Sequence, residues 1–281
     1  MLSESVEVKY RELQQILTAM GGVAIGYSGG VDSTLLVKVA ADCLGTRALA
    51  VIGRSATYPT REFEEALHAA ETIGVRVLVV DTAETDMVKF RENPPDRCYY
   101  CKTELFSKLG GIADEQKIPW IADGTILDDV GDFRPGMRAR TEQRVRSPLL
   151  EAGFAKTDVR ELSHHLDLPT WDKPSFACLS SRFPYGTGIT TEALAKVDAA
   201  ETLLRDLGLR TFRVRYHDEH TARIEALPAD FARLMQEGIR LPVLERLKAL
   251  GFIYVTLDLQ GYRSGSMNEV LSPETRRRHT P

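Results

Sequence analysis

The chain has 281 residues, 43% of them hydrophobic and 27% charged, with a formal net charge of −4. That length allows one large globular unit with a smaller one appended, and the slight acidity offers no basic field for nucleic acid or a membrane surface. No apolar run approaches the roughly 18 residues of a bilayer span, the first residues lack the basic-then-apolar order of a signal peptide, and four cysteines are too few for a disulfide framework. A cytoplasmic protein with no nucleic-acid or membrane partner is expected.

Over the first 125 residues, short apolar runs alternate with amphipathic stretches, the pattern of βα units on a parallel sheet. A buried strand is expected over 22–27 (GVAIGY), followed by a helix from Asp32 or Ser33 to Gly45 with Leu35, Leu36, Val39, Ala40 and Cys43 on one face. A second strand over 48–53 leads to a helix introduced by Pro59 and Thr60 and closed by Gly74. A third strand over 75–80, a helix over 99–116 and a fourth strand over 119–122 follow, and RVRSPLL (144–150) reads as a fifth strand. After a short helix over 157–166 comes DKPSFACLSSRFPYGTG, rich in proline, glycine and serine, of the kind that forms functional loops. Beyond it the order is a helix over 191–207, strands over 211–216 and 221–226, a helix over 229–250 interrupted between Gly238 and Pro242, and a strand over 253–257. The expected architecture is a doubly wound parallel α/β domain over 1–190, a small α+β domain over 191–272 and a flexible tail over 273–281.

The strongest local signal is Ser28-Gly29-Gly30-Val31-Asp32-Ser33, set between a buried strand and a helix. Glycines turn backbone N–H groups inward and the helix start adds partial positive charge, so the loop suits phosphate oxygens. It has neither the Gly-Lys-Ser/Thr of a Walker A loop nor the G-x-G-x-x-G of a dinucleotide site. The segment matches SGGxDS at every fixed position and resembles the PP-loop ATP pyrophosphatases, among them GMP synthetase, NAD synthetase, asparagine synthetase and tRNA-thiolating enzymes. The resemblance implies that the loop grips the departing pyrophosphate of ATP while a substrate oxygen attacks the α-phosphate. It also implies that Asp32 holds Mg²⁺, that Ser28 and Ser33 donate hydrogen bonds, and that Gly26, Gly29 and Gly30 line the nucleotide. Arg54, after the second strand, and Gly124 and Thr125, after the fourth, would flank adenine and ribose at the carboxyl edge of the sheet.

Cys98 and Cys101 form a C-x-x-C at a helix start, and Cys178 sits in the loop-rich stretch. Structural zinc would need a further ligand, and Cys43 is a poor one because its spacing from Leu35 and Val39 places it on a buried helix face. Three thiolates without a fourth suit a 4Fe–4S cluster with one open iron, which could hold a sulfide or substrate. A redox dithiol at Cys98 and Cys101, with Cys178 acting separately, is the alternative.

RCYYCK (97–102), DGT (123–125), DFRPG (132–136), PSFACLSSRFPYG (174–186), FRVRYH (212–217), ARIE (222–225) and GYRSGSM (261–267) together resemble the LarE family of sulfur transferases, in order along nearly the whole chain. That family matures the nickel-pincer nucleotide of lactate racemase by converting carboxylates of a pyridinium biscarboxylate mononucleotide into thiocarboxylates. One type sacrifices the sulfur of a single cysteine at the position of Cys178 and is left with dehydroalanine. The other holds a 4Fe–4S cluster on cysteines at the positions of Cys98, Cys101 and Cys178 and relays sulfide, and this sequence is similar to that type. The resemblance further implies a homo-oligomer, sulfide or another sulfur donor as a partner, and a phosphate clamp made by Arg213 and Arg215 with Ser180 or Arg182.

Read from spacing alone, Arg213 and Arg215 share one face of a strand, as a clamp or as a solvated basic face. Asp128 and Asp129 could bind a metal or cap the next segment, and Glu201 reads as a solvated helix residue rather than a metal ligand. His164 and His165 end a helix, where positive charge is welcome. Three other functions stay open: a tRNA-thiolating enzyme, which would need a basic surface, an amide-forming ligase of the NAD synthetase type, and a nucleotide-binding sensor or electron-transfer module without catalysis.

Overall fold

The computed structural model describes residues 2–130 and 134–278. Asp132 and Phe133 of the DFRPG motif and the last residues of the expected tail lie outside the described residues. The chain runs α1 (Glu4–Met20), β1 (Val23–Gly26), α2 (Val31–Leu44), β2 (Ala48–Arg54), α3 (Thr60–Ile73), β3 (Arg76–Asp81), α4 (Val88–Arg91), α5 (Arg97–Glu115) and β4 (Trp120–Ala122). Next come α6 (Gly136–Glu142), α7 (Pro148–Glu151), α8 (Lys156–His165), α9 (Thr191–Asp206), β5 (Phe212–Tyr216) and β6 (Thr221–Ala226). It finishes with α10 (Phe231–Leu234), α11 (Glu237–Ala249), β7 (Tyr254–Leu257) and α12 (Pro273–Arg278).

β1 to β4 form one parallel sheet in the order β3-β2-β1-β4. Its inner strands are apolar on both sides because helices cover both faces. Val23, Ile25, Ala48 and Ala50 pack with Leu13, Leu35, Leu36 and Phe154 on one face, while Ala24, Leu49 and Val51 meet Phe106 and Leu109 on the other. Each fully buried leucine or phenylalanine contributes roughly 1.5–3 kcal/mol. The chain steps outward from β1 to β3 and then returns past β1 to β4. Strand order therefore reverses between β1 and β4, the place where doubly wound sheets bind their ligands. This is the α/β PP-loop fold.

The second sheet has the order β5-β6-β7, antiparallel between β5 and β6 and parallel between β6 and β7. Leu204 of α9 and Leu247 of α11 fill its core with Phe212, Val214, Ile224 and Phe252.

Several elements differ from expectation, the short helices α4 and α6 having no counterpart in it. α1 is additional: Val6, Leu13, Leu17 and Met20 are buried along one side, and Gly21 ends it with φ 70°. Segment 144–150 is not a strand, because Arg146 makes a single bridge to Ala122 and Pro148, suited to a first helical turn, starts α7. Pro242 does not interrupt α11, and the break falls earlier, at Met235 and Gln236. Residues 273–278 of the expected tail form α12. Among the described residues no helix is long and apolar enough to cross a membrane.

Candidate active site

Beyond Gly26 the chain turns through Gly29, which is left-handed at φ 63°. A Cβ at Gly29 would also stand 2.5 Å from the Ala66 side chain of α3, so conformation and packing both demand glycine. Ser33 Oγ accepts from Ser28 N at 3.2 Å, lies 3.1 Å from the Ser28 hydroxyl and donates to the Gly30 carbonyl at 3.2 Å. The turn opens the N-terminus of α2, whose amides and dipole favour an anion. Gly124, just after β4, closes on the same spot: a Cβ there would lie 2.9 Å from Ser33 N and 3.1 Å from Ser33 Cα. Asp123 beside it is buried and accepts from the Ser147 hydroxyl at 2.7 Å and Thr125 N at 3.2 Å. Arg54, at the end of β2, is paired on the exposed surface with Asp81 of β3 at 2.7 Å.

Asp32, in the first turn of α2, accepts two hydrogen bonds from Lys156 Nζ at 2.7 and 2.6 Å. Burial raises the Asp32 pKa, and Lys156 offsets only part of that rise. Lys156 is the first residue of α8, where the helix dipole disfavours a cation. That misplaced charge is a sequence signal for Lys156, which motif reading passes over. Of the two readings for Asp128 and Asp129, the geometry shows capping. Asp128 accepts from Lys156 N at 2.8 Å, and Asp129 accepts from Ile126 N at 3.0 Å while pairing with Arg134.

Cys98 and Cys101 lie at the start of α5, and Cys178 precedes the 3-10 turn Leu179–Arg182. Two sets of bonds bring these segments together. Asn93, held at φ 54°, donates to the Pro184 carbonyl at 2.7 Å and accepts from Gly186 N at 3.0 Å. Leu179 N donates to the Thr57 carbonyl at 2.8 Å, the Phe176 ring lies on Tyr58 at 5.4 Å, and the Tyr58 hydroxyl donates to the Ser28 carbonyl at 2.8 Å. Lys173 adds a bond to the Gly29 carbonyl at 3.3 Å and ion pairs with Glu62 and Glu65. The cysteine-bearing loop is thus fastened to the back of the phosphate loop.

Cys178 bears on both thiols at the start of α5. Burial raises the Cys98 pKa, Cys178 adds to the rise, and Arg97, Lys102 and Arg134 oppose it. Cys101 is pushed well up by burial, then by Glu84, Cys178 and Cys98. Buried Glu84 holds the Ser55 and Thr57 hydroxyls at 2.6 and 2.7 Å, shaping the turn on which Leu179 docks. Among the described residues no three Cys, His, Asp or Glu side chains are gathered tightly enough to hold a single metal ion. Cys43, in the last turn of α2, stands apart and packs partly buried against the sheet core.

Glu201 is a correction: it is buried rather than solvated, because it pairs with Arg182 at 2.9 and 2.7 Å and accepts from Val214 N at 2.9 Å. Arg182 in turn donates to the carbonyls of Ala177 and Cys178. Arg215 is likewise committed, to Glu225 at 2.6 Å and Ser266 at 2.9 Å. Arg213 differs from both. Its guanidinium donates only to the carbonyls of Phe212 and Ser175, lies over the Tyr262 ring at 5.1 Å, and has no carboxylate partner among the described residues. Burial and the neighbouring Arg182 lower its pKa. It faces a cavity of 510 Å³ lined also by Glu62, Lys173, Ser175, Phe176 and Arg182. The Ser180 hydroxyl is fully buried with no hydrogen-bond partner among the described residues. Pairs such as Arg182–Glu201 join residues 19 apart across a loop, and no local pattern reveals them.

Residues 4–100 match the NAD synthase family. An uncharacterized protein of Synechocystis sp. is 42% identical over 267 residues, 95% of this chain and 99% of its own. Pyridinium-3,5-bisthiocarboxylic acid mononucleotide synthase of Lactiplantibacillus plantarum is also 42% identical, over 271 residues covering 95% and 96%. An uncharacterized protein of Methanocaldococcus jannaschii is 28% identical over 244 residues, 86% of this chain and 91% of its own. With the PP-loop fold and two relatives matched from end to end, the chain belongs to the LarE family of PP-loop sulfur transferases, alongside the Lactiplantibacillus plantarum synthase.

Proposed function

We propose that this chain is an ATP-dependent sulfur transferase that adenylylates a carboxylate of a pyridinium biscarboxylate mononucleotide and converts it to a thiocarboxylate. The observation that carries the reading is the fastening of the Cys178 loop onto the SGGVDS turn through Lys173, Tyr58 and Thr57. Adenylation and sulfur delivery then share one crevice. A carboxylate is inert to sulfur nucleophiles because oxide is a poor leaving group. Attack of its oxygen on the α-phosphorus releases pyrophosphate and turns that oxygen into part of AMP, which sulfur can displace.

In this reading Ser28, Gly29, Gly30 and Ser33 bind the departing pyrophosphate through backbone N–H groups and hydroxyls. Gly124 lets the end of β4 close on the Ser33 backbone, Gly26 ends β1 just before the loop, and Arg54 and Thr125 flank adenine and ribose. Asp32, whose buried carboxylate is only partly compensated by Lys156, fits Mg²⁺, which would neutralise the phosphates. Arg213 binds the mononucleotide phosphate, helped by Ser180, whose buried hydroxyl has no partner among the described residues, while Arg215, on the same face of β5, is held by Glu225 and Ser266. Cys98, Cys101 and Cys178 fit a 4Fe–4S cluster: three soft donors within each other's electrostatic reach, on two segments tied together, beside the cations Arg97 and Lys102. A cluster spreads its ligands over separate irons, so it does not need the tight grouping of a single-ion site; when bound it supplies an open iron for exchangeable sulfide. The family resemblance supports sulfide or another sulfur donor as a partner and a homo-oligomeric state, and the low cysteine count supports the cytoplasm.

The test is the fate of ATP. The proposed mononucleotide should elicit AMP and pyrophosphate, and ADP with orthophosphate would overturn the reading. Anaerobic reconstitution should load about four irons per chain. Iron-free protein that completes one turnover, with Cys178 left as dehydroalanine, would replace the cluster by the sacrificial route.

A further inference from the structure

Arg97, the first residue of α5, is 5% exposed. Taking a guanidinium out of water costs several kcal/mol and calls for a counter-charge. The two other deeply buried arginines have one: Arg182 pairs with Glu201, and Arg215 with Glu225. Arg97 has only neutral partners. Its Nη1 donates to the Asn93 amide oxygen at 2.8 Å, and the guanidinium lies over the Tyr185 ring at 4.9 Å. Its buried Nε has no hydrogen-bond partner, and no carboxylate pairs with it, among the described residues.

Arg97 directly precedes Cys98 in the first turn of α5, and its partners Asn93 and Tyr185 both sit at the joint with the Cys178 loop. Its charge acts directly on Cys98, and the Tyr185 phenol beneath it feels Arg97, Cys98 and Cys178 together. Lys102 and Arg134 also reach Cys98, but Arg134 is paired with Asp129 and Lys102 lies over the Phe106 ring at 5.0 Å. Asn93 locks Arg97 in place from the segment that binds the Cys178 loop, so the guanidinium cannot swing out to water without breaking that joint. We propose that Arg97 is the counter-cation of the sulfur centre, its buried charge completed by the negative charge that the sulfurs of Cys98 and Cys178 carry when the centre is loaded. This rests on the cluster reading above. It assigns Arg97 a positioning and charge-setting role, distinct from ligation.

The experiment compares wild type with Arg97→Gln, which keeps a donor for Asn93, and Arg97→Lys, which keeps the charge. Each is reconstituted anaerobically, assayed for iron and sulfide, and titrated with a reductant while the cluster spectrum is followed. Reduction adds negative charge, so a nearby cation favours it. Arg97→Gln should make reduction about tenfold less favourable, a shift of about 59 mV to more negative potential for one electron, and Arg97→Lys should stay near wild type. A purely structural role would lower cluster occupancy or melting temperature in both variants without moving the potential of the clusters that remain. An unchanged potential in Arg97→Gln, or an equal shift in both variants, overturns the inference while leaving the cluster reading intact. Wild type that takes up no iron overturns both.

Discussion

Changing Glu201 to Gln keeps the side-chain volume and removes one charge from a pair that is 2% and 7% exposed. Arg182 is left without its counter-charge beside Arg213, while still gripping the carbonyls of Ala177 and Cys178. Breaking a buried pair on one side costs about 3–5 kcal/mol, and at 2–4 °C per kcal/mol for a chain of this size the melting temperature falls by roughly 6–20 °C. The pH dependence has a defined sign. Burial would raise the Glu201 pKa, but Arg182 outweighs it and the net position is below the ordinary carboxylate value. A depressed folded-state pKa adds stability that is full above the unfolded value and is lost as pH falls through the folded one. The gap between wild type and Glu201→Gln is therefore widest at neutral pH and closes in strong acid. Thermal and urea melts across the acid range measure it. Replacing both partners, Arg182→Met with Glu201→Leu, should recover much of the loss. A Glu201→Gln protein that melts with wild type at neutral pH would refute the reasoning.

Gly124→Ala places a methyl 2.9 Å from the Ser33 amide nitrogen, against backbone that cannot yield; ATP affinity should fall about tenfold or more by calorimetry, and an unchanged Kd would contradict the packing. Asp32→Asn should abolish pyrophosphate release without lowering the melting temperature at neutral pH. Burial raises the Asp32 pKa and penalises the charged form, so this group adds stability only as pH falls; a clear drop in melting temperature would count against that sign. Arg213→Ala should weaken the mononucleotide by roughly 10–150-fold, the worth of one charged hydrogen bond, with ATP binding unchanged. Arg215→Ala should instead cost stability, about 1–3 kcal/mol, by removing one charged partner of buried Glu225 while Arg223 and Ser266 still hold it; equal effects of the two changes on ligand binding would mean that they do not divide the work this way.

Much of the sheet and the phosphate loop was readable in the sequence because their causes are local. Parallel strands covered on both faces appear as unbroken apolar runs such as VAIG and ALAVIG. SGGVDS is recognisable within six residues, although one demand on Gly29, its close approach to Ala66 of α3, is not. The misread segment 144–150 shows the limit of that reading: Val145 and Leu149 suggest a strand, but Pro148 turns the chain into a helix after one bridge. Glu201 shows another limit. It follows Leu194, Val197 and Ala200 on the buried side of α9, yet a carboxylate reads as solvated until its partner Arg182 is known. Lys173 and Arg97 were missed for the same reason, since their meaning lies in groups that only the fold brings near. The three cysteines occupy an intermediate position: C-x-x-C is local, but its association with Cys178 depends on Asn93 and Thr57 joining distant segments.

The most direct measurement of the central claim is the mass of the small-molecule product. The protein is reconstituted anaerobically and incubated with ATP, Mg²⁺, sulfide and the biscarboxylate mononucleotide. The account predicts a mononucleotide in which sulfur replaces a carboxylate oxygen, formed together with AMP and pyrophosphate and lost in Asp32→Asn. An amidated mononucleotide, or an unaltered acid despite ATP consumption, would contradict it.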